Sequence, residues 1–260
     1  MGTTKKRKGA ALHSSASADW GTPREGVDLA RAVLGRIDFD AASDEVWNRI
    51  IGAATFYDGS KGRNTLSDPW PGSKIAGDRL LRGAERERDR LPGSCERTFL
   101  NPPGDLSGEL VRAFWLALVE RWCNAESDTG FYVGFTLEQL VSLQKSAGGA
   151  PSQWPSPLSP CVVTMVMRRR WRYLSEQRDG TIEEGDKPTH GSFVTLLPSH
   201  DARERAIQVG VMRAMAPRYG DLIVHGDPES MPLPAPVPNG LARGVADRVA
   251  GSLIAHRMAG

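Results

Sequence analysis

The residues best suited to chemistry in this chain are Asn101, Pro102 and Pro103, which directly follow an apolar run. Proline fixes φ and has no N–H group, so the carbonyl groups here point in set directions and neither proline nitrogen competes as a donor. The Asn101 side-chain oxygen and the Pro102 carbonyl oxygen thus form a rigid pair of hydrogen-bond acceptors. Such a pair suits an amino group on an aromatic base, because it stabilises the positive charge that grows as the nitrogen attacks an electrophile.

Two interpretations of this tripeptide stay open from its own residues. In the functional one, the acceptor pair works beside an electrophile, such as a methyl sulfonium held in line with the amino nitrogen. In the structural one, the prolines break a loop and Asn101 caps a strand end, which is a common use of these residue types.

The surrounding segments predict an α/β domain, because strand-like and helix-like patterns alternate through most of the chain. Ligands of an open α/β sheet bind at the carboxyl ends of its strands, so the strand 97–103 would place Asn101 at the binding edge. The clearest helix is 107–123, in which Leu110, Phe114, Leu118 and Trp122 recur at four-residue spacing. Further helices are predicted over 19–35, 44–57 and 137–146, and further strands over 36–43, 130–136, 159–167, 191–199 and 221–226.

Two residues near the predicted first strand are further candidates. Asp40 lies where the strand 36–43 emerges, and a carboxylate there suits an ammonium group or a ribose hydroxyl. An N-cap for the helix 44–57 is the structural alternative, since acids favour that position. At the start of the helix 19–35, Thr22 is the predicted cap and Pro23 the predicted first helical residue.

Composition limits the other functional classes. The chain has 260 residues, enough for one large α/β domain or two small ones. Its formal net charge of +2 is too small to indicate a polyanionic partner by itself, although basic residues cluster at 5–8 and 167–173. No apolar run approaches the roughly 18 residues that a membrane span needs. Cys95, Cys123 and Cys161 lack the spacing of a metal site or a disulfide framework, which predicts reduced thiols in a cytoplasmic protein.

The chain divides into a main domain and two flanking regions. Residues 1–18 predict a disordered basic tail, and 227–240 a proline-rich linker. The main domain spans 19–226 and contains a charged insertion at 73–97. Residues 241–260 predict a C-terminal helix that docks either on its own domain or on a second copy of the chain.

In their order and spacing, these motifs resemble the phage-type DNA N6-adenine methyltransferases, which use S-adenosylmethionine. The resemblance implies a Rossmann-like methyltransferase fold with a mostly parallel sheet flanked by helices, flipping of a DNA base, and methyl transfer to its exocyclic amine. It implies the host cytoplasm as location if the protein is phage-encoded, and a role in DNA modification or restriction-modification. The matching segments are "DWGTP" (19–23), "IDFDAAS" (37–43), "NTLSDPWPG" (64–72), "FLNPPGD" (99–105), "YVGFT" (132–136), "RRRWRYL" (168–174) and "KPTHGSFVTLL" (187–197).

The resemblance also implies roles for individual residues. Asn101, Pro102 and Pro103 take the catalytic loop, and Asn101 also contacts the cofactor. Asn64 and Leu66 occupy the family's Asp-x-Leu, so an amide replaces an acid there. The implied cofactor-binding residues are Thr22, Pro23, Asp40, Ala41, Asn64, Leu66 and Asn101.

Gly104 departs from the family pattern, in which an aromatic residue follows Asn-Pro-Pro and stacks on the flipped base. Such stacking is worth roughly 1–3 kcal/mol. Another ring, Trp70, Phe135 or Trp154, could replace it, or the glycine could make room for a bulkier, already modified base. Binding without efficient turnover is the third explanation. We favour the first two jointly, because the acceptor cluster at Asn101 persists.

The stretch Arg168, Arg169, Arg170 and Trp171 predicts a contact with DNA, in which arginines bind phosphate and the tryptophan stacks. Alternate residues of a strand face opposite sides, so a core position is the structural alternative for Trp171. DNA is the predicted partner, with neither metal nor membrane involved, and the C-terminal helix is a candidate dimer contact. The competing functions are an RNA or protein-glutamine amino methyltransferase and a catalytically inactive DNA-binding relative.

Overall fold

The computed structural model describes residues 20–58, 61, 65–66, 68–71, 96–104, 108–144, 155–177, 179–185 and 190–224. Helices α1 to α5 span, in chain order, Arg24–Leu34, Glu45–Ile51, Glu109–Cys123, Glu138–Ser142 and Ala202–Tyr219. Strands β1 to β9 span Phe39–Asp40, Thr55–Phe56, Arg97–Leu100, Thr129–Gly134, Val163–Met167, Leu174–Glu176, Ile182–Glu184, Phe193–Leu197 and Gly220–Val224.

Within the described residues, seven strands form one mixed sheet in the order β2-β1-β3-β4-β8-β5-β9. Strands β2, β1, β3 and β4 are parallel. Strand β8 runs against both β4 and β5, so β5 points the same way as the first four strands, and β9 runs against β5. The predicted α/β class, with a mostly parallel sheet flanked by helices, is confirmed.

Helices cover both faces of this sheet. On one face α3 packs in a cluster with Leu100 and Tyr132, and on the other α1, α2 and α5 pack in a cluster with Phe99 and Phe131. Neighbouring residues of a strand face opposite sides, which is why Phe99 and Leu100 belong to different layers. Strand β4 is buried along its whole length, as expected of a strand covered on both faces.

The predicted apolar stripe of the helix 107–123 is confirmed in α3. Phe114, Leu118 and Trp122 are buried, and Leu110 packs partly buried against the same cluster. The indole N–H of Trp122 donates to the Pro198 carbonyl at 2.9 Å, so even the polar atom of this ring has a partner. This helix connects β3 to β4 along the chain.

Residues 44–57 differ from their prediction as a single helix. Helix α2 ends at Ile51 because Gly52 adopts a left-handed conformation with φ 66°. The Asn48 side chain then donates to the Ala53 carbonyl at 3.1 Å and accepts from the Ala53 N–H at 2.9 Å. The chain leaves the helix in an extended conformation and forms β2, which pairs in parallel with β1.

The start of α1 also differs from its prediction. Pro23 is the N-cap with ψ 144°, and its carbonyl accepts from the N–H groups of Gly26 and Val27. Thr22 makes no capping hydrogen bond, because the extended Pro23 carries it away from the first turn. Thr22 as the cap and Pro23 as the first helical residue are therefore wrong, although the helix itself is confirmed.

Helix α5 and the hairpin of β6 and β7 add to the predicted elements. The buried residues of α5 include polar ones, so apolar spacing marks this helix poorly: Arg205, Gln208, Val209, Met212 and Tyr219. Strands β6 and β7 pair antiparallel in a separate two-stranded sheet. That sheet follows the arginine stretch 168–170 directly.

Several predicted regions lie outside the described residues, namely 1–18, 227–240, 241–260 and all but the last two residues of 73–97. Cys95 lies in that insertion, whereas Cys123 and Cys161 are free thiols, as predicted. Among the helices that the structure describes, none is long and apolar enough to cross a membrane.

Candidate active site

The sheet places the predicted site residues along one edge. Strands β1, β3, β4 and β5 point the same way, so their carboxyl ends lie on the same side of the sheet. The residues that end or follow these strands lie along that side: Asp40, Asn101, Phe135 and Arg168. The chain passes from β1 to β2 on one side and reaches β3 on the other, so the strand order reverses between β1 and β3. Asp40 and Asn101 flank this switch point, which is where ligands of open α/β sheets bind.

The Asn101 amide has a defined orientation. Its Nδ2 donates to the main-chain carbonyl of Trp20 at 3.2 Å. A carbonyl oxygen can only accept, so the amide nitrogen must face Trp20 and Oδ1 is left as the acceptor. Trp20 is held in turn because the next residue, Gly21, exchanges two main-chain hydrogen bonds of 2.9 and 2.8 Å with Leu174.

The Asp40 carboxyl is fully buried at the end of β1. Its Oδ1 accepts from the Ala42 N–H at 3.2 Å, and its Oδ2 has no hydrogen-bond partner among the described residues. Burial raises the pKa of Asp40 from its ordinary value to about 7. The capping alternative for Asp40 is excluded, because Asp44 caps α2 by accepting from the Trp47 N–H at 2.8 Å.

The other described cofactor candidates lie close to Asp40 or to Asn101. Thr22 is buried, and its Oγ1 has no hydrogen-bond partner among the residues described. The Thr65 hydroxyl donates to the carbonyl of Ala41, which brings the neighbouring Leu66 to the end of β1. The side chains of Ala41 and Leu66 pack into the core, so their ligand contacts would be made at the rim or through main-chain groups. Asn64 lies outside the described residues.

Phe135 lies beside Gly104. A Cβ built on Gly104 would be 3.4 Å from Cζ of the Phe135 ring, and its next nearest atoms belong to the same ring. Trp70 is fully buried, and its indole N–H donates to the Thr65 carbonyl at 3.0 Å. Trp154 lies outside the described residues. Of the three rings predicted as replacements, Phe135 is the one that the structure places at Gly104.

The arginine stretch lies on the same edge, beyond β5. Arg168 is exposed, but its guanidinium group already has partners. Its Nη2 lies 2.6 Å from Oδ1 of Asp221, and its Nη1 donates to the Pro217 carbonyl at 3.0 Å. Arg169 and Arg170 are exposed. The Trp171 ring is buried against α1, where a Cβ on Gly26 would lie 2.9 Å from it. This placement matches the structural alternative for Trp171.

Asp58 is a candidate that the sequence patterns missed. It is 6% exposed and lies two residues beyond β2, the strand next to β1, with Lys61 Nζ 3.8 Å away. A carboxylate beyond the strand next to a ligand site suits ribose hydroxyls. The sequence patterns missed it because 44–57 was predicted as one helix, which conceals the strand that ends before Asp58. The available signal was the glycine at position 52, where the helix ends.

No protein-family model matches the chain, and no curated protein or solved structure matches it either. The chemistry of the site therefore has to be inferred from its own side chains. It combines an oriented amide at Asn101, a buried carboxyl at Asp40 with an unpartnered oxygen, and an aromatic ring beside Gly104.

Proposed function

We propose that this protein transfers a methyl group from S-adenosylmethionine to an exocyclic amino group of DNA, adenine N6. The observation that supports this most directly is the hydrogen bond from Asn101 Nδ2 to the Trp20 carbonyl. It leaves Oδ1 as the acceptor of this side chain, at the switch point of the sheet and one residue before Pro102. An amino group needs acceptors of this kind when its nitrogen becomes a nucleophile.

The buried oxygens of the site fit the cofactor. Asp40 Oδ2 and Thr22 Oγ1 are both buried without hydrogen-bond partners in the described chain, as are several other side-chain atoms, but these two lie at or near the switch point, where a ligand would satisfy them. As a carboxylate, Asp40 would accept from an ammonium group or a ribose hydroxyl, and Asp58 would accept from a second hydroxyl. When bound, S-adenosylmethionine supplies a methyl group on a positively charged sulfur, which is an electrophile.

The residues of the chain then act on the target amine. Asn101 Oδ1 and the Pro102 carbonyl each accept one of its hydrogens, which orients the nitrogen and favours its tetrahedral form. Pro102 and Pro103 hold this geometry, because their φ angles are fixed. The two acceptors also stabilise the charge on nitrogen until its surplus proton passes to water.

The arginine stretch supports a nucleic acid as the substrate. Arg169 and Arg170 are exposed on the side of the sheet that holds Asn101, where they would bind backbone phosphates, whereas the Arg168 guanidinium is already paired with Asp221. They give no sequence information by themselves, because phosphate contacts position a protein without reading bases.

Replacing Arg169 with glutamine should lower the salt dependence of DNA binding. The loss of one phosphate contact should reduce the slope of log affinity against log salt by about 1. The measurement is fluorescence anisotropy with labelled duplex DNA over a range of salt concentrations. Arg203→Gln removes the same charge from an exposed position at the start of α5, on the opposite edge of the sheet, and should leave the slope unchanged. Equal effects of both variants would contradict a phosphate site at Arg169.

The direct test of the proposed function combines calorimetry with labelled transfer. The purified protein is titrated with S-adenosylmethionine, and label from its methyl group is then followed into unmethylated duplex DNA, RNA and a protein fraction. We expect saturable cofactor binding and label in the DNA as N6-methyladenine. Cofactor binding with label in RNA or protein alone would replace DNA as the substrate. Binding without any transfer would indicate the inactive relative, and no binding would refute methyl transfer altogether.

A further inference from the structure

We propose that the Phe135 ring is the stacking platform for the target base, in place of the aromatic residue that Gly104 lacks. This inference rests on the proposed function, since it assigns a specificity-determining residue to the same site. The ring reaches Gly104 from the neighbouring strand, so the catalytic loop and the platform come from different parts of the chain.

The register of the sheet explains how Phe135 reaches this place. Strands β3 and β4 pair in parallel as far as Leu100 and Tyr132. Phe135 follows three residues after Tyr132 and Gly104 four residues after Leu100, so both leave the sheet side by side. The ring is half-buried: one part packs against the cluster beneath α3, and the rest remains exposed at the edge.

Gly104 is a glycine for reasons of space. Its φ is outside the left-handed region that favours glycine, so a side chain would be conformationally allowed there. A Cβ alone would make ordinary contact with Phe135 at 3.4 Å, but a whole ring at 104 would compete with Phe135 for the same volume. The two positions therefore accommodate one aromatic ring between them.

The same contact bears on the target base. A glycine without a neighbouring ring would leave room for an enlarged base, but here the Phe135 ring fills the space beside Gly104. The ring therefore takes the place of the side chain that Gly104 lacks.

The test relocates the ring. Phe135→Ala should weaken stacking of a base by about 5- to 150-fold in affinity. Gly104→Phe should also weaken it, because the two rings compete. The double variant, Phe135→Ala with Gly104→Phe, should recover most of the wild-type affinity. The probe is a single-stranded oligonucleotide that contains 2-aminopurine, whose fluorescence is quenched when it stacks on a ring.

Controls separate stacking from folding and from methyl transfer. Phe135→Leu keeps most of the volume without a ring, so it should melt near the wild-type temperature and still lose quenching. Val141→Ala, a change of a 64% exposed side chain on α4, should alter neither property. Unchanged quenching in Phe135→Ala, or no recovery in the double variant, would overturn the platform. The expected quenching pattern without methyl transfer by the wild type would instead refute the proposed function and leave the platform standing.

Discussion

Methyl transfer by the Asn101→Ala variant is expected to be slower than that of the wild type by about 100- to 1,000-fold. The change removes Oδ1, one of the two acceptors that would stabilise charge on the target nitrogen in the proposed reaction. Cofactor affinity should change by much less, because Asp40, Thr22 and Asp58 remain in place. The measurement is single-turnover transfer of labelled methyl to DNA, with calorimetric titration of S-adenosylmethionine as the parallel readout.

A second substitution tests the orientation of the amide rather than its presence. Asn101→Asp keeps the Oδ1 acceptor but replaces the Nδ2 donor with a second oxygen, so a carboxylate would face the Trp20 carbonyl and be repelled by it. We expect this variant to be nearly as slow as Asn101→Ala at neutral pH. A transfer rate within threefold of the wild type in either variant would refute Asn101 as the group that activates the amine.

Cofactor affinity is expected to fall as the pH is lowered from 7 to 5, because of Asp40. Burial raises the pKa of this carboxyl to about 7, and in the proposed site the ionised form is the one that would bind the cofactor. If protons compete with the cofactor at this one group, the affinity should drop by about 50-fold over that interval. Calorimetric titration at several pH values measures it. Asp40→Asn should bind weakly with no such pH dependence, whereas Asp38→Asn, at a buried position before β1, should keep it.

The same residue should make the free protein less stable as the pH rises. The folded protein holds the Asp40 proton more tightly than the unfolded chain, where the pKa is 3.8. The carboxyl therefore imposes no penalty below pH 4, and a growing one up to pH 7, which reaches about 4 kcal/mol of unfolding free energy. Urea denaturation of wild type and Asp40→Asn between pH 4 and 8 should show the two curves separating with pH. Parallel curves would contradict a raised pKa of the buried Asp40 carboxyl.

Local sequence patterns predicted which residues lie at the carboxyl ends of the strands, but not which distant residues contact them. Asn101 was located because prolines end a strand, and Asp40 because alternation of apolar and acidic residues marks a short one. The Trp20 carbonyl that orients Asn101 lies 81 residues earlier, and Phe135 follows β4 whereas Gly104 follows β3. Contacts of this kind depend on strand order, which is a property of the whole sheet and not of any local segment.

The errors have local physical causes. The helix over 44–57 was extended too far because its apolar residues suit both a helix and the strand that follows Gly52. Thr22 was assigned a cap because threonine before proline commonly starts a helix, whereas the extended Pro23 places it elsewhere. Helix α5 was not predicted, because Arg205 and Gln208 occupy buried positions that apolar residues normally fill.

The reversed strand β8 sets the distance between Phe135 and Arg168 across the sheet. It separates β4 from β5, so Phe135 and Arg168 emerge two strand spacings apart, roughly 10 Å. Each strand of duplex DNA rises about 3.4 Å along the helix axis per nucleotide, so that interval corresponds to about three steps along the axis. With DNA bound as proposed, the arginines would hold the backbone about three nucleotides from the extruded one. The spacing of β4 and β5 would thus set the length of the shortest oligonucleotide that can contact both Phe135 and the arginine stretch.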